Sequence, residues 1–490
     1  MRLKPLMFVG TGSDVGKSVI TAGFCRILKQ DGFSPAPFKA QNMSLNSFAT
    51  PDGLEIGRAQ AVQAEAAGIP CNTNMNPILL KPTGDMESQV VLNGKPIGNQ
   101  HAQEYFNGKY HNQLFKEVCN AFDLLSKDYN PIVMEGAGSI SEVNLWDRDI
   151  VNMRMAKYAN ASTILVADID RGGAIGSVYG SILLLPPEER KLISGILINK
   201  FRGDLNLFEG GKKIIESLTG IPVLGVLPYY HDIHIDQEDA VPLDKKNKKA
   251  QEGKINIAVV LLKRMSNFTD FNLLEQIKEI NIYYATAPKD LEAADIIILP
   301  GSKNTIEDLT DLRKRDFEPT LLKANKDGKS IIGICGGFQM MGAIIEDPHQ
   351  IESTNKYIKG FNLLPLRTII TKEKRTIDTK FFFRNQKTIC HGYEIHMGLT
   401  EIQPDQVSSA LCILEDGTKD GYYSSSRCWG TYLHGILDNP PVIRELIAPF
   451  STKDIIIPDI LEFKDQQYNK LANHIRCYVN VDKIYKSLQE

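Results

Sequence analysis

Short, wholly apolar runs recur along this chain, each ending in a polar or glycine-rich loop, and that rhythm constrains the fold more than any other feature. The runs include Leu6-Met-Phe-Val-Gly10, Pro131-Ile-Val-Met134, Thr163-Ile-Leu-Val-Ala167, Gly195-Ile-Leu-Ile-Asn199 and Val223-Leu-Gly-Val-Leu227. Strands without polar alternation are buried on both faces, as in a largely parallel sheet covered by crossover helices. The rhythm stops at Asp244-Lys-Lys-Asn-Lys-Lys-Ala-Gln-Glu-Gly-Lys254, which is charged and lacks large apolar residues. It restarts at Ile255-Asn-Ile-Ala-Val-Val-Leu261. The sequence therefore predicts two doubly wound α/β domains, over residues 1–243 and 255–445. Residues 244–254 are expected as an exposed linker, and 446–490 as a C-terminal helical extension.

The first strand runs into Thr11-Gly-Ser-Asp-Val-Gly-Lys-Ser18 and then a helical stretch to about Lys29. Strand, glycine-rich turn, Lys-Ser and helix together make a phosphate cradle, as in P-loop NTPases. Backbone N–H groups over Thr11, Gly12, Ser13 and Gly16 receive phosphate oxygens, Lys17 neutralises charge, and the Ser18 hydroxyl can ligate Mg²⁺. Thr11 stands where the common spacing has its first glycine; the glycines fall at 10 and 12. Glu135, at a strand end, is a second candidate for Mg²⁺, against the alternative of a helix cap or loop carboxylate. Asp168 and Asp170 divide evenly between those readings. Asn199 and Lys200 are placed by position alone as nucleotide contacts.

In the second half, Ile331-Ile-Gly-Ile-Cys-Gly-Gly-Phe-Gln339 reads as strand, sharp turn and helix start. A cysteine at such a turn is exposed to attack an acyl carbon, with neighbouring N–H groups to hold the oxyanion. A buried structural cysteine is the commoner fate of that residue type. The later Gly430-Thr-Tyr-Leu-His434 supplies the histidine that a nucleophilic Cys335 needs. Gly301, in the Pro-Gly-Ser loop after Ala294-Asp-Ile-Ile-Ile-Leu299, is expected to complete an oxyanion site with Gly336.

Composition excludes more than it identifies. Of 490 residues, 42% are hydrophobic and 23% charged, with net charge −3, which argues against a general nucleic-acid or membrane partner. The 8 cysteines show neither metal-ligand pairs nor a disulfide framework, and the N-terminus lacks a signal-peptide core, so a cytoplasmic location is expected. Oligomeric state stays open, a homodimer included.

The C-terminal motifs resemble class I glutamine amidotransferase domains, on the Pro-Gly-Ser loop, the Cys335 elbow and His434. The resemblance implies that Cys335 attacks the side-chain amide of glutamine, that His434 shuttles the proton, and that ammonia is released. It departs at Ile436, where the common form carries glutamate two residues after the histidine; the cobyric/cobyrinic acid subgroup shares that departure. The third triad member is left open, with Glu394 and His396 divided between a supporting part and ordinary strand packing.

The N-terminal half resembles dethiobiotin synthetase-like ATPases, in which a carboxylate attacks the γ-phosphate of ATP. Both halves together look like the cobalamin-pathway amidases. Lys39-Ala-Gln-Asn-Met43, Glu55-Ile-Gly-Arg-Ala-Gln60, Asp149-Ile-Val-Asn-Met153 and Asp168-Ile-Asp-Arg-Gly-Gly173 favour the subgroup member that amidates a cobyrinic diamide over its sister acting on other carboxylates. The resemblance implies a corrinoid substrate, ATP with Mg²⁺, and glutamine as nitrogen donor. Gln41, Asn42 and Asp149 are its candidates for handling substrate or intermediate. A regulatory protein with a degenerate amidotransferase domain is the rival of another class, opposed by the intact Cys335 and His434.

Overall fold

The computed structural model describes residues 2–83, 87–101, 108–236, 247, 249–404, 406, 409–451 and 454–489, with the side chains of 108–110 set aside. Residues 244–246 and 248 of the expected linker lie outside them. The chain divides into two units, one of Met1–Ser44, Ile56–Asp236 and Phe463–Glu490, the other of Leu45–Glu55 and Gln237–Glu462.

The first unit is built on a six-stranded sheet in the order Val223–Pro228, Ile193–Phe201, Ser162–Asp168, Leu6–Gly10, Ile132–Glu135, Ala36–Phe38. Every neighbouring pair is parallel. Leu6, Met7, Phe8 and Val9 are fully buried, as expected for a strand with helices on both faces. Because parallel strands share a direction, Gly10, Glu135, Asp168 and Asn199 end on one edge.

The expected C-terminal extension has a definite place. The helices Ile460–Tyr478 and Val481–Ser487 supply Leu471, Ala472, Ile475 and Ile484 to the same core as Ile20, Phe24 and Leu28 of the Lys17–Gln30 helix. Contact is close enough that a Cβ added at Gly23 would lie 2.2 Å from Ile475 Cδ1. Asp31 accepts hydrogen bonds from Arg476 and Tyr485, 2.6 Å from the former. The C-terminal helices complete the hydrophobic cover of the phosphate-loop helix, a role their sequence does not disclose.

The second unit repeats the theme. Its sheet runs Ile280–Ala285, Ile255–Val260, Ile296–Leu299, Ser330–Ile334, Cys428–Thr431, all parallel, then Tyr422–Ser425 antiparallel at the edge. Beside it lies a second sheet that strand–helix alternation does not predict. Its backbone is the hairpin of Leu366–Phe383 and Ile389–Ile402, with a register shift between Ile370 and Arg375. These strands carry alternating and charged residues, so they lack the apolar signature of the parallel sheet.

The two tryptophans, Trp146 and Trp429, fall one in each unit. Leu471→Ala removes a fully buried side chain and is expected to cost the first unit about 2–5 kcal/mol. Denaturant unfolding followed in a Trp429→Phe background should show the Trp146 transition at lower midpoint. The Trp429 transition, read in the Trp146→Phe background, should stay in place.

Candidate active site

Cys335 stands where the Ser330–Ile334 strand meets the Gly336–Met341 helix, with φ 51° and ψ −109°. A non-glycine residue there is strained by about 1–3 kcal/mol and is held only by its surroundings. Cys335 N–H donates to Thr431 O at 2.8 Å, and its own carbonyl accepts from Gln339 N. Glycine is required beside it, because a Cβ on Gly337 would come 1.9 Å from Leu299 O. The strain turns the thiol out of the helix line, with Sγ 3.7 Å from Ile395 O.

His434 follows the adjacent strand Cys428–Thr431, so the parallel sheet brings residues almost a hundred positions apart to one edge. Its backbone forms a two-bond bridge with Tyr393, 2.8 and 3.1 Å, and the two rings stack at 5.3 Å. The imidazole is fully buried, and the Cys335 sulfur is among the groups that raise its pKa. Gly301 closes the other side: a Cβ there would lie 3.1 Å from His434 Cε1. A Cβ on Gly336 would lie 2.8 Å from Ser302 N, so the Gly301 loop and the elbow meet backbone to backbone. Cys335, His434, Gly301 and Gly336 form one cluster.

Ile436 is a fully buried core residue, so the position two after the histidine carries no carboxylate. Asp270 supplies one instead. It lies in the Phe268–Phe271 turn after the first strand of the sheet; Oδ2 is 2.7 Å from His434 Nδ1, and Oδ1 accepts from Gly435 N at 2.9 Å. Nothing in the sequence marked this residue except an acid set between two phenylalanines. Burial would lower the affinity of His434 for its proton, but the Asp270 carboxylate and the Cys335 sulfur outweigh it and raise the pKa to about 10. Glu394 and His396 are engaged elsewhere. Glu394 pairs with Arg375, and His396 lies 2.8 Å from Gly398 O with its ring stacked 3.7 Å from Tyr432.

In the first unit, Gly10 leads into the loop and Gly16, at φ 98°, opens the Lys17–Gln30 helix. Lys17 Nζ donates to Gly12 O and Gly138 O, both at 2.9 Å, folding over the loop. Thr11 forms a bridge with Ser139, and Thr11 N donates to Val166 O. Ser13 lies on the turn between them. Ser18 Oγ donates to Glu135 Oε1 at 3.1 Å, so the two metal candidates face each other. Lys39 Nζ sits 2.6 Å from Glu135 Oε1, and Gln63 Nε2 donates to Oε2 at 2.8 Å. One hydroxyl and one buried carboxylate are hard oxygen donors that fit Mg²⁺ completed by phosphate and water. Among the described residues no group of three or more His, Cys, Asp or Glu side chains could cage a metal without such partners.

The remaining candidates divide. Asn199 Nδ2 donates to Val15 O at 2.8 Å and Lys200 bonds Asp168 at 2.9 Å and the Asp14 carbonyl. Both side chains thus brace the phosphate loop. Asp168 is taken up by Lys200 and Asp170 by Arg202. Gln41 and Asp149 line one cavity of about 200 Å³ with Ser139, Trp146, Arg148 and Arg154. Asp149 Oδ1 meanwhile accepts from Val151 N and Asn152 N, fixing that loop. Asn42 lies outside the cavity and donates to Gln60.

Known proteins bear on this geometry. Residues 6–243 match the CobQ/CobB/MinD/ParA nucleotide binding domain, and residues 256–442 the CobB/CobQ-like glutamine amidotransferase domain. A protein of Parabacteroides distasonis named cobyric acid synthase is 57% identical over 99% of both chains. One of Bacteroides fragilis with the same name is 56% identical over 100% of this chain and 99% of its own. No described helix is long and apolar enough to cross a membrane.

The Asp270–His434 pair gives a signed pH prediction. The folded imidazole keeps its proton up to about pH 10, whereas an unfolded one loses it near 6.5. Its stabilisation is therefore complete below roughly 6.5 and lost as pH rises toward 10. Asp270→Asn should flatten that slope in denaturant titrations and move the basic limb of the glutaminase pH profile to lower pH.

Proposed function

The chain belongs to the cobyric acid synthase family, and from that premise we propose that it amidates carboxylates b, d, e and g of adenosylcobyrinic acid a,c-diamide, giving adenosylcobyric acid. It is an enzyme, pairing an ATP-binding domain with a glutamine amidotransferase domain. The observation that carries the chemical reading is Cys335, strained at the end of its strand, on the same sheet edge as a buried His434 that Asp270 holds at 2.7 Å.

In the glutaminase half, the Cys335 sulfur attacks the side-chain carbonyl carbon of glutamine. The Gly336 N–H and the loop at Gly301 are the donors for the oxyanion that forms. Collapse of the tetrahedral intermediate breaks the C–N bond, His434 delivers a proton to the departing nitrogen, and ammonia leaves. Water then cleaves the thioester to glutamate, with His434 accepting its proton and Asp270 steadying the imidazolium.

In the ligase half, a substrate carboxylate oxygen attacks the γ-phosphorus of ATP, ADP departs, and an acyl phosphate results. Ammonia attacks its carbonyl carbon, phosphate leaves, and the amide remains. Lys17 and the backbone of Thr11 to Ser18 bind and orient the transferring phosphate, with Lys39 adding positive charge beside Glu135. Mg²⁺, held by Ser18 and Glu135, would supply charge neutralisation between phosphate oxygens. Gln41 and Asp149, which line one cavity, are the residues assigned to the substrate side.

Cys335→Ala should abolish glutamine-supported amidation, by about four orders of magnitude or more, while ammonia-supported amidation survives. Glu135→Gln should suppress both. The products are followed by mass, one acid-to-amide step at a time. Amidation confined to carboxylates a and c of cobyrinic acid would move the chain to the sister reaction. Glutaminase without any corrinoid turnover would sink the substrate assignment.

A further inference from the structure

Asp420 is the residue at which the chain passes from the hairpin sheet to the parallel sheet of the second unit. Lys419–Asp420 pairs with Cys412–Leu414, and Tyr422–Ser425 pairs with Cys428–Thr431. Between them Gly421 takes φ 72°, and a Cβ there would lie 2.4 Å from Gly430 O, so the crossing requires glycine. This close passage sets the Asp420 carboxylate, 5% exposed, against the end of the strand that leads to His434. Oδ2 accepts from the Thr431 hydroxyl, and Oδ1 accepts from Tyr432 N at 3.1 Å. The Thr431 hydroxyl oxygen accepts in turn from Leu433 N at 3.0 Å.

One side chain thus fixes the three residues that precede His434. Thr431 is fully buried, and its carbonyl accepts from Cys335 N at 2.8 Å, the bond that pins the strained elbow. A buried acid is a costly way to fill space, so its hydrogen bonds are what it contributes. The ionisable groups facing it are Glu394 on the Ile389–Ile402 strand, the Cys412 thiol and Tyr432. Glu394 is paired with Arg375 and lies 3.3 Å from His396. The donors to Asp420 are a hydroxyl and backbone N–H groups, and burial together with Glu394 pushes its pKa up to about 7.

We propose that Asp420 is a positioning residue for glutamine hydrolysis: its ionised carboxylate, through Thr431 and Tyr432, holds the Cys335 backbone and the approach to His434 in one geometry. Hydrogen bonds to an ionised acceptor are roughly twice as strong as those to a neutral one. Protonation removes that charge, so the hold is full above about pH 7 and weakens below it. The inference rests on the assignment of Cys335 and His434 as the glutaminase pair.

The test uses the full chain and compares wild type with Asp420→Asn, Thr431→Val and Thr431→Ser. Asp420→Asn keeps the shape and removes the charge, whereas Thr431→Val removes the hydroxyl and leaves the carboxylate in place. Glutaminase is followed from about pH 6 to about pH 8, and amidation with glutamine or with ammonium as nitrogen source. Asp420→Asn and Thr431→Val should each lower the glutamine-supported kcat about tenfold, as a small misplacement of a reacting group does, with the glutamine KM within about threefold. Ammonium-supported amidation should stay within about twofold, and Thr431→Ser should restore the glutamine-supported rate. Wild-type glutaminase kcat should rise as pH passes about 7, and that step should vanish in Asp420→Asn. Equal losses with both nitrogen sources would mean a general structural effect and overturn the inference. So would an unchanged glutamine-supported rate in both Asp420→Asn and Thr431→Val, or the same pH step persisting in Asp420→Asn. Cys335→Ala is the separate control: glutaminase persisting there would fault the assignment of the nucleophile instead.

Discussion

Parallel strands all point the same way, so every loop that follows a strand emerges on one edge of the sheet. The chemistry of this chain depends on that constraint twice. In the first unit Gly10, Glu135 and Asp168 end neighbouring strands with Asn199 in register beside Asp168, and the phosphate loop, its metal candidates and its braces gather there. In the second, the loops after Val260, Leu299, Ile334 and Thr431 carry Asp270, Gly301, Cys335 and His434. Helical crossovers cover the faces and leave the edge open for ligands. Neither cluster requires residues near one another in sequence, only strands near one another in the sheet.

Burial then sets the electrostatics at these edges. Glu135 is 1% exposed, and Lys39, Ser18 and Gln63 surround its carboxylate with one positive charge and two hydrogen-bond donors. His434 is 1% exposed and would be driven to neutrality by burial alone, which would leave no charge to stabilise a thiolate. Asp270 reverses that balance. The same loop that bears Asp270 bonds the Pro-Gly-Ser loop, Ser266 N to Gly301 O at 2.9 Å and Lys303 N to Arg264 O at 3.0 Å. Asp308 fixes the loop again by accepting from Ser302 Oγ at 2.6 Å, with burial pushing its own pKa up to about 6. The Asp270 loop and the Pro-Gly-Ser loop are therefore held as one piece.

The hairpin sheet adds what the parallel sheet lacks. Tyr393 stacks on His434 and Ile395 O meets the Cys335 thiol, and the Thr305–Gln339–Tyr432–Thr400 hydrogen-bond chain ties the hairpin to the elbow helix at 2.6 to 3.2 Å. A fully satisfied buried network of this kind fixes side-chain orientation more than it adds stability. The surroundings of Cys335 are thus shaped by residues whose sequence spacing carries no nucleophile motif.

The phosphate loop, the cysteine elbow and the strand–helix rhythm of both halves are legible in residue order. Those signals are local: glycines at a turn, Lys-Ser at a helix start, an apolar run before Cys335. His434 was legible because it, too, follows a strand. Asp270 was not, since an aspartate becomes a histidine's partner only through the adjacency of strands, and the glutamate position offered Ile436 instead. Only the folded arrangement brings Asn199 to the Val15 carbonyl and Lys200 to the Asp14 carbonyl, lays the C-terminal helices over the Lys17–Gln30 helix, and places residues 45–55 in the second unit. In each case the deciding contact spans well over a hundred residues of chain, and no short-range pattern of side chains encodes which distant surface a segment will cover.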